Sequence, residues 1–432
     1  MKIKSFFNFI YHKRNILAEG GWVLSGQVIV AIINMAGIRI VTEFLSPEIL
    51  GEATLWVGIA ILLKNIFVSP FLNYQIRFYP EYRSQNKGIS YNSVALKILL
   101  ILVICSSVLF IFSTLVLMMN DVIKINFLIL FLTLIYFSSD SIRSFGINIL
   151  QAERRQKEFA IYSILESFIT YLTVFLLILY LPKAESYIAA FVIAILFIII
   201  LMKIFIPIKI NFKFKTEENI ELFKNEAFKF ALPLVPVAIL SWIMNLSNRY
   251  IIEILGNTAD VGIFIASFSI ASRPFIILSG IATNFFRPIL IEVLSSNEII
   301  KSRFVFFSWL ITVTIIGTIL MLLFFFGAKI IAAIFLSNDY RTEAIKLFIF
   351  IALGYFFLAI YQVFENFLFT TKNTKIILKI SIVSTIVFIA SNFALISIYS
   401  TFGASLSISI GFFCYLVLGF VYSKDKIKYN AS

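Results

Sequence analysis

Residues 38–60 read IRIVTEFLSPEILGEATLWVGIA, and residues 248–274 read NRYIIEILGNTADVGIFIASFSIASRP. Both carry the same sparse charges in an apolar setting. The first supplies Arg39, Glu43, Leu45 and Gly51 and is followed by Arg77; the second supplies Arg249, Glu253, Leu255 and Gly262 and is followed by Arg287. The two arginines of each set stand 38 residues apart, and only the step from leucine to glycine differs, by one residue. Pro80 and Glu81 follow Arg77 much as Pro288 and Glu292 follow Arg287. Each set closes the first long apolar run of its half. A chain that repeats its membrane entry midway is built from two related bundles, the plan of a secondary transporter.

Composition agrees. Of 432 residues, 60% are hydrophobic and 14% charged, against about 25% charged in soluble domains, and the mean hydropathy is +0.98. Such a chain cannot cover a soluble surface. Its apolar runs are too long and too continuous for barrel strands, so it is an all-α integral membrane protein. Twelve spans are expected, at roughly 16–38, 49–76, 91–118, 124–149, 160–181, 186–206, 227–254, 259–286, 302–326, 342–369, 374–398 and 401–422. They group into an N-terminal lobe (1–206, with an interfacial helix before span 1), a cytoplasmic amphipathic linker (207–226) and a C-terminal lobe (227–432) with a basic tail. In the linker, Thr216 suits a helix N-cap with Glu217 and Glu218 in the first turn.

Basic residues orient the chain. With residues near span ends counted on the nearer side, 26 of the 36 lysines and arginines fall on the side of the two termini, seven on the opposite side, and Lys64, Arg143 and Arg273 deep within spans. The positive-inside rule then places both termini in the cytoplasm. The net charge of +13 is an orientation signal with attraction to anionic membrane lipids; nucleic acid is not needed to explain it. Cys105 and Cys414 lie inside apolar runs and His12 in the basic tail, so neither a disulfide framework nor a metal site is indicated.

An ionisable side chain at bilayer depth costs roughly 2.5–3.5 kcal/mol on insertion scales and normally faces a cavity or a partner. Lys64 in span 2 and Arg273 in span 8 lie 13 and 14 residues before Arg77 and Arg287, hence near-equivalent in the two halves. Converging cations suit a compact polyanion; the competing reading is a pair of structural cations. Asp140 and Arg143, three residues apart, share a helix face and can neutralise each other, or Arg143 can serve the cavity with Asp140 as counter-ion. Glu166 and Glu365 have no local partner and, with Asp140, are candidates for ion coupling, unless cations on neighbouring helices pair with them. Arg39 with Glu43 and Arg249 with Glu253 are spaced for local salt bridges. Pro70, Pro233, Pro236 and Pro274 each remove a helical hydrogen bond and are hinge candidates, span 7 with two foremost.

The stretch 248–274 resembles the span 7–8 signature of the polysaccharide flippases of the multidrug/oligosaccharidyl-lipid/polysaccharide exporter superfamily. Residues 38–60, the turn ILQAERRQKEFAIYS at 149–163 and the Leu232–Pro233 opening of span 7 resemble the same family more loosely. The resemblance implies two pseudo-symmetric six-helix lobes forming a V around a central cavity that opens alternately to each side. The implied function is flipping of undecaprenyl-pyrophosphate-linked oligosaccharide units (O-antigen, capsule or exopolysaccharide) across the bacterial inner membrane. No bound cofactor is expected; the intramembrane carboxylates point to a proton or sodium gradient, with a polysaccharide polymerase and chain-length regulator as expected partners. On that footing Arg273, Lys64 and Arg143 would bind the pyrophosphate. A multidrug exporter of the same superfamily would favour acidic and aromatic cavity residues. A membrane polymerase or ligase would usually carry a large outer loop, whereas no outer loop here exceeds about 20 residues; no enzyme motif is present.

Overall fold

The computed structural model describes residues 14–85, 87–119, 126–206, 226–295, 299–371 and 373–429. The expected interfacial helix before residue 14, His12 and the linker helix at Thr216 lie outside the described residues. Among the described residues every regular element is helical: α1 (Arg14–Phe44), α2 (Pro47–Leu63), a π-helical segment (Lys64–Val68), α3 (Ser69–Ser84), α4 (Gly88–Met119), α5 (Phe127–Ala152), α6 (Gln156–Tyr180), α7 (Ala184–Phe205), α8 (Leu234–Leu255), α9 (Thr258–Ala271), α10 (Arg273–Ser295), α11 (Ile299–Phe335), α12 (Asn338–Thr370) and α13 (Thr374–Tyr429). Backbone hydrogen bonds closed within a helix are what a hydrocarbon environment requires.

The twelve expected spans are present. Ten helical stretches are long and apolar enough to cross a membrane, and the last of them, Thr374–Lys424, contains two spans. Its break is at Ser400, which takes φ 48° and ψ −129°, between the expected ends at 398 and 401. Here the backbone turns back tightly: a Cβ on Gly403 would overlap the carbonyl oxygen of Leu395. The remaining span is α8, the polar one, with Asn245, Asn248, Arg249 and Glu253 along it.

Local sequence explains where helices start. Asn126 caps α5 by accepting from the Leu128 N–H at 2.9 Å, and Asn257 caps α9 by accepting from the Asp260 N–H at 2.9 Å. The hinge prolines stand at interruptions of the spans. Pro70 is the second residue of α3, Pro274 the second of α10, and Pro233 stands in the turn just before α8, with Pro236 in its first turn. A first-turn N–H has no helical acceptor, so proline is tolerated there. The prolines enclosed by helix are instead Pro80 and Pro288.

The chain packs as two compact units, residues 1–33 with 55–242 and residues 34–54 with 243–432. These differ at two places from lobes drawn in chain order at 206 and 227. Residues up to Trp242 join the first unit because Phe230 packs on Phe78 and Tyr74, with ring centroids 5.4 and 5.9 Å apart. Tyr82 also donates to Glu226 at 3.2 Å, and the Trp242 indole donates to the Gly58 carbonyl at 3.3 Å. The segment 34–54 joins the second unit, where Tyr340 donates to the Leu45 carbonyl at 2.9 Å.

In the first unit α3 packs on α4 and α5, and α7 on α5 and α6. Val68, Phe71, Tyr74, Leu99, Phe137 and Phe145 form its main core. The second unit is assembled around α12, which touches α9, α10, α11 and α13. Small residues make this packing close: on α12 a Cβ at Gly354 would come within 3.0 Å of Ile408 backbone. Trp309 stacks on Phe286 at 5.7 Å in the core of that unit.

Candidate functional site

The π-helical turn at Lys64–Val68 interrupts span 2, and such turns mark places where a regular helix would misdirect a side chain. Lys64 opens it. Its Nζ donates to Asp140 Oδ2 at 2.5 Å and to Ser144 Oγ at 2.7 Å. Asp140 and Ser144 are one turn apart on α5 and therefore present both oxygens on one face. Arg143, on the same helix, donates through Nε to Asp140 Oδ1 at 3.0 Å and through Nη2 to the same oxygen at 2.5 Å. Its Nη1 reaches Glu166 Oε2 on α6 at 2.8 Å.

Four charges thus form one chain, Lys64–Asp140–Arg143–Glu166, with two cations and two carboxylates and no formal net charge. Burying such groups is tolerable because each has a counter-charge. The cluster is not sealed: side-chain exposures are 17% for Lys64, 10% for Asp140, 19% for Arg143 and 22% for Glu166. The Asp140–Arg143 pairing expected from spacing is present. Glu166, which has no partner nearby in sequence, finds one across helices. Ser144 is the member that sequence reading passed over, although its place one turn after Asp140 is a legible signal.

In the second unit Arg273 stands first in α10, directly after the break at Ser272. Lys64 opens the π-helical interruption of its span and Arg273 follows the bend in its own, so the two near-equivalent cations both stand at an irregularity of a span. Their surroundings differ. Arg273 is half-buried and within electrostatic range of Tyr355, and among the described residues it makes no ion pair or hydrogen bond. Lys64 and Arg143 are already matched.

Glu365 lies elsewhere in the second unit, on α12 beside Tyr361 and Tyr415, with Arg287 in electrostatic range. Arg287 itself is placed over the Phe369 ring, 4.3 Å from its centroid. The rings of Tyr361 and Tyr415 are 4.6 Å apart, and the buried Tyr361 hydroxyl has no hydrogen-bond partner among the described residues. Glu365 and the four-residue cluster are therefore separate sites in separate units.

The repeated signature is placed at the opposite ends of spans 1, 2, 7 and 8 from Arg77 and Arg287. Arg39 pairs with Glu43 at 2.7 Å and donates to the Leu336 carbonyl. In the second copy the geometry changes: Arg249 is buried and donates through Nη1 to the Thr54 carbonyl at 3.0 Å, while Glu253 accepts from the Thr258 hydroxyl at 2.8 Å.

Long apolar helices in two packed units, with a cluster of paired charges inside the expected spans, define a multi-pass membrane protein among the described residues. Solved structures share that fold. The lipid II flippase MurJ in an inward closed conformation matches with a TM-score of 0.69 at 17% identity, over 94% of this chain and 87% of that one. An inward-facing multidrug resistance MATE family transporter of the MOP superfamily matches with a TM-score of 0.68 at 15% identity, over 95% and 99%. A MOP superfamily transporter from Pyrococcus furiosus, described by a reversed polarity of its binding pocket, matches with a TM-score of 0.60 at 16% identity, over 96% of each chain. At such identities the likeness is one of fold. No curated protein sequence matches the chain. Residues 16–294 match the polysaccharide biosynthesis protein family, and the chain belongs to that family.

Proposed function

We propose that the protein flips undecaprenyl-pyrophosphate-linked oligosaccharide repeat units, destined for O-antigen, capsule or exopolysaccharide, from the cytoplasmic to the outer leaflet of a bacterial inner membrane. Membership of the polysaccharide biosynthesis family carries this reading. The fold shared with a lipid II flippase supports it, because that protein's cargo is also a lipid.

The cations fit a diphosphate. Arg273, unmatched by any carboxylate among the described residues, offers a guanidinium fork suited to phosphate oxygens. Lys64 and Arg143 would act as secondary ligands, since Asp140 and Glu166 already occupy their donors. Movement would be by alternating access and driven by a proton or sodium gradient. Glu365 is the stronger coupling candidate, with no ion pair among the described residues, whereas Glu166 and Asp140 are held by Arg143. Both termini would face the cytoplasm, with a polymerase and a chain-length regulator working on the delivered units.

A multidrug exporter is the second reading, favoured by the near-equal likeness to a MATE transporter. Deletion in the native host separates the two. Loss of surface polysaccharide, with lipid-linked units accumulating on the cytoplasmic side, is expected; intact polysaccharide with new sensitivity to organic cations would replace the first reading with the second.

A further inference from the structure

Within the first unit, α1 and α6 meet where small residues let them approach closely. A Cβ on Gly26 of α1 would stand 2.8 Å from the Ala160 Cβ of α6. One turn before Gly26 stands Trp22, and three residues before Ala160 stands Lys157. The Lys157 ammonium lies over the Trp22 ring, 5.4 Å from its centroid. The two contacts follow one another in the same order along both helices, which therefore run parallel. Lys157 is the second residue of α6, just after the turn that joins it to α5 on the membrane face of the basic loops. Trp22 is 45% exposed and stands where the apolar stretch of α1 begins, at Gly21. That is the depth at which tryptophan meets lipid headgroups.

The cations here are not neutralised. The neighbouring carboxylates are already engaged: Glu153 accepts from the Tyr79 hydroxyl at 2.7 Å and pairs with Arg83 at 3.4 Å and Arg155 at 3.6 Å. Glu158 pairs with Arg155 at 3.1 Å. Lys157 and Arg154 are exposed and make no ion pair or hydrogen bond among the described residues. Contact with Trp22 orients Lys157 and leaves its charge in place. Arg154 ends α5 with φ 57°, its N–H donating to the Gln151 carbonyl at 3.0 Å. Glycine is usual at such a left-handed helix end, so a cation is kept where the backbone disfavours any side chain.

Beyond the Gly26–Ala160 contact the exposed side chains change character. Val28, Ile29 and Ile32 on α1 and Ile161, Leu165 and Phe168 on α6 are all apolar. Unmatched cations and an indole at headgroup level, bordering an apolar surface at acyl-chain depth, have the two-part chemistry of an anionic lipid. A zwitterionic lipid would bring its own ammonium against Lys157, and a soluble anion would leave the apolar half unused.

We propose that Trp22, Lys157 and Arg154 form a binding site for the headgroup of an anionic phospholipid, whose acyl chains lie along α1 and α6. The site stands whatever cargo the protein moves.

Trp22 reports on its own site. In full-length protein with Trp56, Trp242 and Trp309 replaced by phenylalanine, it is the one tryptophan left of four. This protein is reconstituted in phosphatidylcholine vesicles doped with phosphatidylglycerol or phosphatidylcholine brominated on the acyl chains, and fluorescence quenching is followed against bromolipid content. Half-maximal quenching should need roughly fivefold less brominated phosphatidylglycerol than brominated phosphatidylcholine, the enrichment given by one cation at headgroup level. Lys157→Gln with Arg154→Gln should bring the two lipids level. Lys203→Gln with Lys379→Gln removes the same charge elsewhere on that membrane face and should keep the preference. Equal quenching by the two lipids, or equal loss of preference in both double variants, would overturn the proposal. If the single-tryptophan protein fails to accumulate, the preference is read from the quenching lost between wild-type and Trp22→Phe protein, with the same outcomes.

Discussion

Lys64 and Asp140, 76 residues apart in the chain, meet at 2.5 Å in the first unit. Asp140 takes Lys64 on one oxygen and Arg143 on the other, so it is the joint of the cluster. What a substitution does here depends on which charges it leaves behind.

Asp140→Asn removes the shared counter-charge from two buried cations. Breaking a buried pair from one side costs about 3 kcal/mol or more, and Glu166 alone cannot match both cations. Thermal unfolding in detergent should drop clearly, and membrane levels with it. Unchanged stability would mean that the cluster is solvated and contributes little.

Removing both ends of the Lys64–Asp140 contact is a sharper probe. Lys64→Met with Asp140→Asn keeps both side-chain volumes and deletes both charges, leaving the Arg143–Glu166 pair intact, so that no charge is left unmatched. The double variant should hold its melting temperature within a few degrees yet lose most flipping activity. Full activity would show that Lys64 is structural only.

Arg273 is expected to behave differently, since no partner among the described residues is left unmatched when it goes. Arg273→Ala should abolish surface polysaccharide while the protein level holds, and Arg273→Lys should restore part of it by keeping charge without the fork. Normal polysaccharide in Arg273→Ala cells would remove Arg273 from the binding site.

Glu365→Gln and Glu166→Gln separate coupling from architecture. Transport by Glu365→Gln should lose its dependence on an imposed ion gradient at near-normal stability. Glu166→Gln should mainly lower stability, because Arg143 is left with one counter-ion. Full gradient dependence in both variants would place coupling elsewhere.

The spans were legible because a membrane helix is specified locally, by a run of apolar residues; even the turn at Ser400 falls where the run is interrupted. The Asp140–Arg143 pair was legible for the same reason, as three residues along a helix share a face. Lys64–Asp140 and Arg143–Glu166 were not, because pairing across helices depends on how spans rotate and pack. Glu166 looked isolated only along the chain. The π-helical turn that aims Lys64 has no compositional mark, and the transfer of residues 34–54 to the second unit follows from long-range contacts such as the Tyr340 hydroxyl on the Leu45 carbonyl, which no spacing reveals. The prolines announced interruptions: Pro70 follows the π-helical turn of span 2, Pro274 follows the bend at Ser272 in span 8, and Pro233 stands just before α8.

The most direct measurement is leaflet exchange in reconstituted vesicles carrying an undecaprenyl-pyrophosphate-linked oligosaccharide, followed by an impermeant enzyme that modifies only sugars exposed on the outside. With an inward-directed or outward-directed ion gradient imposed, the protein should raise the fraction of modifiable cargo above the half initially exposed, and Arg273→Ala protein should not. A wild-type trace that stays at the level of protein-free vesicles would contradict flipping of this cargo.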